Sequence, residues 1–252
     1  PEAYISTFYS GSNGIPSESK PFSHTDLEVS PFQRVQSVTG VGSDWHSNDR
    51  KVTYAYMVHD GVQTGNDRVR IWRVDDQETP DKEDDLPIAR DISDIPRFYL
   101  SGELTITEIT DAQGNISQSC VDNRGLEIAK RAYNNDQSKW VTTYYVYDDF
   151  GRVRFIVPPA ISSKDNSSVS VDESNGYLFM YIYDARGRLI KEKAPGAGWT
   201  YYVYDKWDRL VLSQDAAQRL VHSKRYTFYK YDNHNRLIIT GFRNLSSNYT
   251  TL

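Results

Sequence analysis

Apolar and polar positions in the second half of the chain follow a pattern with a period of two. Four segments each begin with two tyrosines placed two positions apart, and on a β-strand such a pair shares one face. The alternate positions are mostly apolar, so we expect each strand to be covered on both faces, or nearly so. The fourth segment has Lys230 between its tyrosines, and one of its faces should be wetter. The segments are Tyr145–Val153, Tyr181–Leu189, Tyr202–Leu210 and Tyr229–Leu237.

Each pair of tyrosines is followed by a turn signal. An aspartate comes directly after the second tyrosine, and its carboxylate can accept hydrogen bonds from backbone N–H groups two or three residues on. Three residues after the aspartate stands a residue that tolerates positive φ, for which Gly is the easiest and Asn and Asp come next. A type I turn closed by a left-handed residue joins two antiparallel strands. Each copy therefore predicts a β-hairpin of about twenty residues, and their repetition predicts a stack of such units.

An arginine opens the returning strand of every copy. It has two plausible structural roles, an ion pair with the turn aspartate or a position across a tyrosine ring of the neighbouring hairpin. A catalytic role for the Asp–Arg pair is not expected, because active sites rarely recur along a repeat array. The candidate site residues are thus structural ones, namely Tyr145, Tyr147, Asp148, Gly151, Arg152, Tyr181, Tyr183, Asp184, Gly187, Arg188, Tyr202, Tyr204, Asp205, Asp208, Arg209, Tyr229, Tyr231, Asp232, Asn235 and Arg236.

Two weaker copies of the turn precede the four segments. Thr110–Asn115 and Val121–Leu126 keep Asp-x-x-Gly between strand-like runs but lack the leading tyrosines, so the ladder of hairpins should start near Leu104. Between the first two full copies lies Ala160–Gly176, a Ser-rich polar insertion. We interpret it as an exposed loop at a hairpin edge.

The first hundred residues are less regular. The runs Lys51–Val58 and Arg68–Val74 alternate like strands around a polar turn, which predicts a hairpin. Asp75–Asp91 is an acidic run with two prolines. Its carboxylates are ligands of the kind that Ca²⁺ prefers, but their spacing does not match an EF-hand loop. A solvated loop is the alternative interpretation.

Composition narrows the class of protein. The 252 residues carry 29 Lys and Arg against 34 Asp and Glu, so the net charge of −5 gives no sign of a nucleic-acid surface. The single cysteine, Cys120, cannot form an internal disulfide. No apolar run approaches the length of a membrane span. The chain opens with Pro1 and ends at Leu252 directly after a hairpin without a capping feature, so we expect a fragment of a longer protein.

Candidate chemistry is sparse. The five histidines lie apart without metal-ligand spacing, and neither a nucleophile elbow nor a phosphate-binding glycine loop occurs, so no catalytic, metal or cofactor residue is predicted. Paired carboxylates of a glycoside hydrolase stay an alternative that no motif fixes. A surface module that binds carbohydrate or a partner is another alternative, because Trp140, Trp199 and Trp207 belong to a residue type that stacks on sugars and anchors interfaces.

The four tyrosine-led segments resemble the YD repeats of the bacterial RHS (rearrangement hot spot) family, which also occur in insecticidal toxin-complex proteins and teneurins. Asp208 and Asn235 depart from the glycine that is usual at the turn. Other segments resemble an uncharacterised domain that precedes YD repeats in RHS-like proteins. They are Ser30–Val35, Gly42–Trp45, Thr107–Asp111, Pro158-Pro159, Ala194–Trp199 and Gln214-Asp215.

The resemblance implies an all-β fold in which consecutive antiparallel β-hairpins form a curved or spiral sheet, part of an RHS-type shell. It divides the chain into an N-terminal RHS-associated region, 1–103, with its acidic loop at 75–91, and a YD-repeat region, 104–252. In relatives such a shell encloses a C-terminal toxin domain. The implied role is a non-catalytic structural segment of a large secreted or cell-surface protein. Its partners would be the rest of the same polypeptide, an enclosed toxin domain and secretion machinery.

Overall fold

The computed structural model describes residues 8–11, 14, 17–61, 68–75, 85–88, 98–163, 171–220 and 224–244. The chain divides into two compact units. One consists of residues 1–69 and 99–142, and the other of residues 70–98 and 143–252.

Strands rich in Tyr, Val, Ile and Thr are the main regular elements of the described chain, as the β propensity of these residues predicts. They are β1 (His24–Leu27), β2 (Val35–Thr39), β3 (Lys51–Val58), β4 (Arg73–Asp75), β5 (Leu86–Ile88), β6 (Leu104–Thr110), β7 (Ile116–Asp122), β8 (Glu127–Asn134), β9 (Lys139–Tyr147), β10 (Val153–Val157), β11 (Phe179–Tyr183), β12 (Leu189–Lys193), β13 (Thr200–Tyr204), β14 (Leu210–Gln214), β15 (Arg225–Tyr231) and β16 (Leu237–Asn244). Four short helices accompany them, α1 (Ser43–Ser47), α2 (Pro159–Ser162), α3 (Val171–Tyr177) and α4 (Ala216–Leu220).

Fourteen of these strands form one sheet in the order β1-β2-β3-β6-β7-β8-β9-β10-β11-β12-β13-β14-β15-β16, while β4 pairs with β5 in a separate two-stranded sheet. Neighbouring strands such as β1 and β2, β3 and β6, β7 and β8, and β9 and β10 pair antiparallel. The predicted all-β fold of consecutive hairpins is confirmed. The ladder starts earlier than expected, however, because β1, β2 and β3 precede the strand that begins at Leu104.

The predicted hairpin between Lys51–Val58 and Arg68–Val74 is wrong. Strand β3 is paired on one side with β2 and on the other with β6, so neither edge is left for the following segment. The chain leaves the sheet at His59 and returns at Leu104, where the His59 N–H donates to the Leu104 carbonyl over 2.9 Å. The excursion instead makes the bridge from Arg70 to Phe98 and the β4–β5 pair.

The two faces of the repeat strands differ in burial. The positions that alternate with the tyrosines are buried in the first two copies, where they form the core with Phe155 and Val157. These alternate positions are Tyr144, Val146, Met180 and Ile182. The leading tyrosines of all four copies are half-buried. Lys230 is exposed, which confirms the wetter face that was predicted for the fourth copy.

The Ser-rich insertion between the first two copies is not simply an exposed loop. Its described parts hold the helices α2 and α3, and Ile161 and Ser174 are buried. The connection follows β10 and leads into β11, which pair directly. The polar composition of this segment did not predict its two short helices, each of which buries one residue.

Candidate functional site

The turns of the four repeats share one backbone geometry. In the first, the Gly151 N–H donates to the Asp148 carbonyl over 3.0 Å, and the Asp148 N–H donates to the Arg152 carbonyl over 2.9 Å. The residue that closes each turn has the positive φ that was predicted, 76° at Gly151, 80° at Gly187, 62° at Asp208 and 61° at Asn235. Asp111–Asn115 and Asp122–Leu126 make the same pair of backbone bonds, which confirms them as weaker copies.

The turn carboxylate holds this loop together. Oδ1 of Asp148 accepts the backbone N–H groups of Phe150 and Arg152 over 3.0 and 2.9 Å, two and four residues on, where two or three residues were expected. Its Oδ2 accepts the Nε–H of Arg152 over 2.8 Å. Asp184, Asp205 and Asp232 repeat all three bonds with their own turns. The first proposed role of the arginine, pairing with the turn aspartate, is therefore present in every copy.

The second proposed role occurs as well, because the same guanidinium lies across a tyrosine of the following hairpin. The guanidinium carbon of Arg152 lies 4.9 Å from the ring centroid of Tyr183. Arg188 lies 4.9 Å from Tyr204, and Arg209 lies 5.1 Å from Tyr231. The two roles do not exclude each other, since the ion pair uses the edge of the planar guanidinium and the ring contact uses its face.

The contacted tyrosine returns a hydrogen bond to the earlier hairpin. The hydroxyl of Tyr183 donates to the carbonyl of Val153 over 3.1 Å, next to Arg152. Tyr204 and Tyr231 donate in the same way to Leu189 and Leu210 over 2.8 and 2.9 Å. We call this set of contacts the arginine–tyrosine joint. In it, the arginine lies across the second tyrosine of the next hairpin, and the hydroxyl of that tyrosine donates a hydrogen bond to the carbonyl of the residue after the arginine.

Strand register is the same at each joint. The third residue after the arginine pairs with the residue before the first tyrosine of the next hairpin. This gives the pairs Phe155 with Met180, Lys191 with Tyr201, and Leu212 with Phe228. Because a shift of one residue would turn every side chain to the opposite face, the joint and the register support each other.

A further joint lies near the N-terminus, and sequence reasoning missed it. The guanidinium carbon of Arg34 lies 4.3 Å from the ring centroid of Tyr56, and the Tyr56 hydroxyl donates to the Val35 carbonyl over 3.1 Å. Ser37, the third residue after the arginine, pairs with Thr53, which precedes Tyr54. The pair Tyr54 and Tyr56 together with Arg34-Val35 was the available signal.

The turn of this N-terminal joint explains why it escaped notice. Glu28 stands in place of the aspartate and accepts from Arg34 Nε over 2.8 Å. The loop between them is two residues longer than in the YD turns, and Gln33 takes the left-handed position with φ of 48°. Hydrogen bonding from Arg34 lowers the pKa of Glu28 to about 2.

Electrostatics favours the charged turn. Partial burial alone would raise the pKa of Asp148, but the hydrogen bonds and charge of Arg152 outweigh it, and the net pKa is lowered. The pKa values of Asp184 and Asp205 are lowered with the same balance of causes. Burial raises the pKa values of Tyr183 and Tyr204, so their hydroxyls stay protonated and can donate. The site is thus built to hold fixed charges and fixed hydrogen bonds.

The tryptophans considered for binding lie in different surroundings. Trp140 is half-buried against Tyr133 and Arg131. Trp199 is half-buried with Lys193 at 5.8 Å from its ring. Trp207 is 62% exposed in a turn.

A buried ion pair lies within the second unit. Asp85 is 0% exposed, and its Oδ2 accepts from Arg154 on β10 over 2.9 Å. The interpretation of the acidic run as a solvated loop therefore fails at Asp85. The other residues of that run lie largely outside the described ranges. Pairing with arginine is what allows a carboxylate to be buried, since an unpaired charge would be costly.

Neither a metal centre nor a membrane helix is found in the part of the chain that the structure describes. No three side chains from His, Cys, Asp and Glu come together there as a metal-binding group. None of the described helices has the length and hydropathy of a membrane-spanning segment.

Comparisons with solved structures give distant similarities. They include a crystal structure of TcdB2-TccC3-TEV (14% identity, TM-score 0.42, 90% of this chain and 11% of that chain). A mutant Tc holotoxin pore from Photorhabdus luminescens has 14% identity and a TM-score of 0.38, over 90% of this chain and 13% of that one. A crystal structure of TcdB2-TccC3-Cdc42 has 14% identity and a TM-score of 0.38, over 96% and 14%. This chain thus spans between 11% and 14% of the length of these structures.

Two families match parts of the sequence, and no curated protein does. Residues 2–58 match a domain of unknown function, DUF6443, and this segment includes the joint between Arg34 and Tyr56. Residues 183–220 match the RHS repeat and include the joint between Arg188 and Tyr204. Residues 183–220 are thus similar to the RHS repeat, and residues 2–58, which precede them, are similar to DUF6443.

Proposed function

We propose that this chain is a non-catalytic wall segment of a large secreted or cell-surface RHS protein, forming part of a β-shell that encloses a C-terminal toxin or effector. The observation that carries the proposal is the recurrence of one joint in one register. Its carboxylates, guanidiniums and hydroxyls bond to each other or to backbone rather than converging on a space for a substrate. The site therefore fixes hairpins side by side.

Several expectations belong to this proposal. The rest of the same polypeptide, the enclosed domain and secretion machinery are its partners. The division into an N-terminal region, 1–103, and a YD-repeat region, 104–252, stays a prediction. The RHS repeat at residues 183–220 supports the wall function, since a repeated structural unit suits a scaffold better than a reaction site.

Limited proteolysis of the natural gene product tests the enclosure. A shell predicts that any segment C-terminal to these residues resists protease in buffer and is cleaved quickly once mild denaturant opens the wall. Tyr204→Phe, which removes one joint hydroxyl, should lower the denaturant concentration at which cleavage begins. Cleavage of that segment in buffer at the rate of an exposed linker would refute enclosure.

A binding surface for carbohydrate or a partner is the second candidate, and the exposed Trp207 favours it. Two cations lie near the indole ring, with Lys206 Nζ at 4.3 Å and the Arg209 guanidinium carbon at 4.8 Å from its centroid. Phe150 is 82% exposed at the equivalent position of the first copy. Titration with neutral and acidic sugars should quench tryptophan fluorescence in the parent chain and leave Trp207→Phe unaffected. Absence of quenching in the parent would remove this candidate.

A further inference from the structure

The residue four positions after each repeat arginine lies opposite the leading tyrosine of its own hairpin. In the second copy this residue is Glu192, which pairs directly with Tyr181. Directly opposed residues of antiparallel strands share one face, so the carboxylate and the phenol are neighbours. Glu192 is the charged member of a set that is otherwise neutral. The other members, opposite Tyr145, Tyr202 and Tyr229, are Ile156, Ser213 and Thr240.

A second tyrosine reaches Glu192 from the following hairpin. Glu192 pairs with Thr200, which places Tyr202 diagonally across from it on the same face of the sheet. The Tyr202 hydroxyl donates a hydrogen bond to Oε1 of Glu192. Burial is the larger cause of the raised pKa values of Tyr181 and Tyr202, and the negative charge of Glu192 adds to both. The carboxylate thus lies between two phenol side chains.

The structure describes no counter-charge for this carboxylate. Glu192 is half-buried, and no lysine, arginine or histidine among the described residues forms an ion pair with it. Lys191 and Lys193, its neighbours along β12, lie on the opposite face of the strand. There their ammonium groups lie 5.6 and 5.8 Å from the rings of Tyr201 and Trp199. Because the equivalent positions are filled by neutral residues, the fold itself does not require a charge at Glu192.

The arginine–tyrosine joints show which group a carboxylate and a tyrosine hold together in this protein. Arg34 donates to Glu28 over 2.8 Å and lies 4.3 Å from the ring centroid of Tyr56. Arg152 and the equivalent arginines make the same two contacts with an aspartate and a tyrosine. Beside Glu192 the carboxylate and the tyrosines are present, and no arginine of the described chain joins them.

We infer that Tyr181, Glu192 and Tyr202 form a binding site for an arginine side chain of another polypeptide. Oε2 of Glu192 accepts an N–H of the guanidinium, whose flat face lies against a tyrosine ring. Oε1 keeps its bond to the Tyr202 hydroxyl, which fixes the carboxylate. A guanidinium suits the site better than an ammonium because it combines a flat face with donors along its edge. The site goes beyond the wall function, since it requires neither a shell nor an enclosed domain.

Fluorine NMR of the chain labelled with 3-fluorotyrosine tests this site. The resonances of Tyr181 and Tyr202 are assigned by substituting each with phenylalanine. The probes are N-acetyl-argininamide and its citrulline analogue, which has nearly the same shape but no charge. The arginine probe should shift both resonances saturably, and the citrulline probe should leave them in place.

Variants of the chain separate the charge from the ring. Glu192→Gln keeps an acceptor for the Tyr202 hydroxyl but removes the charge, and it should weaken binding of the arginine probe about two- to fivefold. Tyr181→Leu keeps apolar bulk without the ring and should weaken binding about twofold, read at the Tyr202 resonance. Glu108→Gln is the matched control. Glu108 is another half-buried strand carboxylate, bonded to Gln118, and its loss should leave binding unchanged.

Three outcomes would overturn the inference. The first is an equal shift from the arginine and citrulline probes, and the second is binding that Glu192→Gln does not weaken. The third is N-acetyl-lysinamide binding as tightly as the arginine probe, because the site would then respond to a positive charge without the flat guanidinium.

Discussion

The arginine that follows each turn performs several tasks with one side chain. Arg152 bonds to its own Asp148, donates to the Asp184 carbonyl of the next turn over 3.3 Å and lies across Tyr183. A lysine could supply the charge but neither the flat face nor the forked donors. The identity of this residue therefore matters more than its charge.

Truncation of Arg152 tests how much these contacts of the arginine contribute to stability. Arg152→Ala is expected to lower the free energy of unfolding by about 1 to 2 kcal/mol, because it removes a half-buried ion pair and a ring contact together. Arg124→Ala removes only an exposed bond to Asp122 and should cost less than about 0.5 kcal/mol. Urea unfolding of both variants measures the difference. Equal losses would mean that the joint contributes nothing beyond a surface ion pair.

The left-handed residue of the turn is a second residue-scale requirement. Gly187 has φ of 80°, and an added Cβ would meet only Arg152 Nη1 at 3.6 Å, so an alanine there suffers from backbone strain rather than a clash. Gly187→Ala should destabilise the protein by about 1 kcal/mol. Gly176→Ala in α3, where φ is not positive and nothing lies within 4 Å, should be neutral or stabilising. A neutral Gly187→Ala in thermal unfolding would show that this turn is not strained.

At the scale of the hairpin, the turn carboxylates couple stability to pH. The folded-state pKa values of Asp148 and Asp184 lie below their ordinary 3.8, so the unfolded chain takes up protons first as the pH falls. Their contribution is complete above about pH 4 and is lost as the pH falls through the folded-state values. Unfolding free energy measured from pH 6 to pH 2.5 should drop less steeply in Asp148→Asn than in the parent.

A buried ion pair between Asp85 and Arg154 joins the excursion that carries β4 and β5 to strand β10. Asp85→Ala leaves Arg154, which is 6% exposed, without its ionic partner and should cost about 3 to 5 kcal/mol. The double variant Asp85→Leu, Arg154→Met removes both charges and should recover most of that loss. Urea unfolding measures the free energy of unfolding of the single and the double variant. A double variant as unstable as the single one would mean that the carboxylate itself is required.

The sequence predicted those elements whose information is local. The four hairpins and their turns could be predicted because an aspartate, a residue that tolerates positive φ and an arginine lie within five positions of each other. Pairing between distant segments was not predicted. Strand β3 pairs with β6 across more than forty residues, and no local sequence pattern indicates which strand is the partner of β3. The burial of Asp85 was missed for the same reason, since its partner Arg154 is remote in sequence. The N-terminal joint was not predicted because Glu28 replaces the turn aspartate and the loop is two residues longer than in the YD turns.

For the molecule as a whole, stability should vary along the sheet. Strand β10 pairs with β9 on one side and with β11 on the other, and its residues Arg154, Phe155 and Val157 are buried. The outermost strands β1 and β16 have a partner on one side only and are largely exposed. Local opening should therefore begin at the edges and reach the interior strands last.

Hydrogen exchange monitored by mass spectrometry tests this gradient. In the chain alone, amides of β1 and β16 should exchange fastest and those of β7 and β10 slowest, because exchange in the latter requires opening of paired strands on both sides. Protection of β16 equal to that of β10 would contradict an open edge at β16.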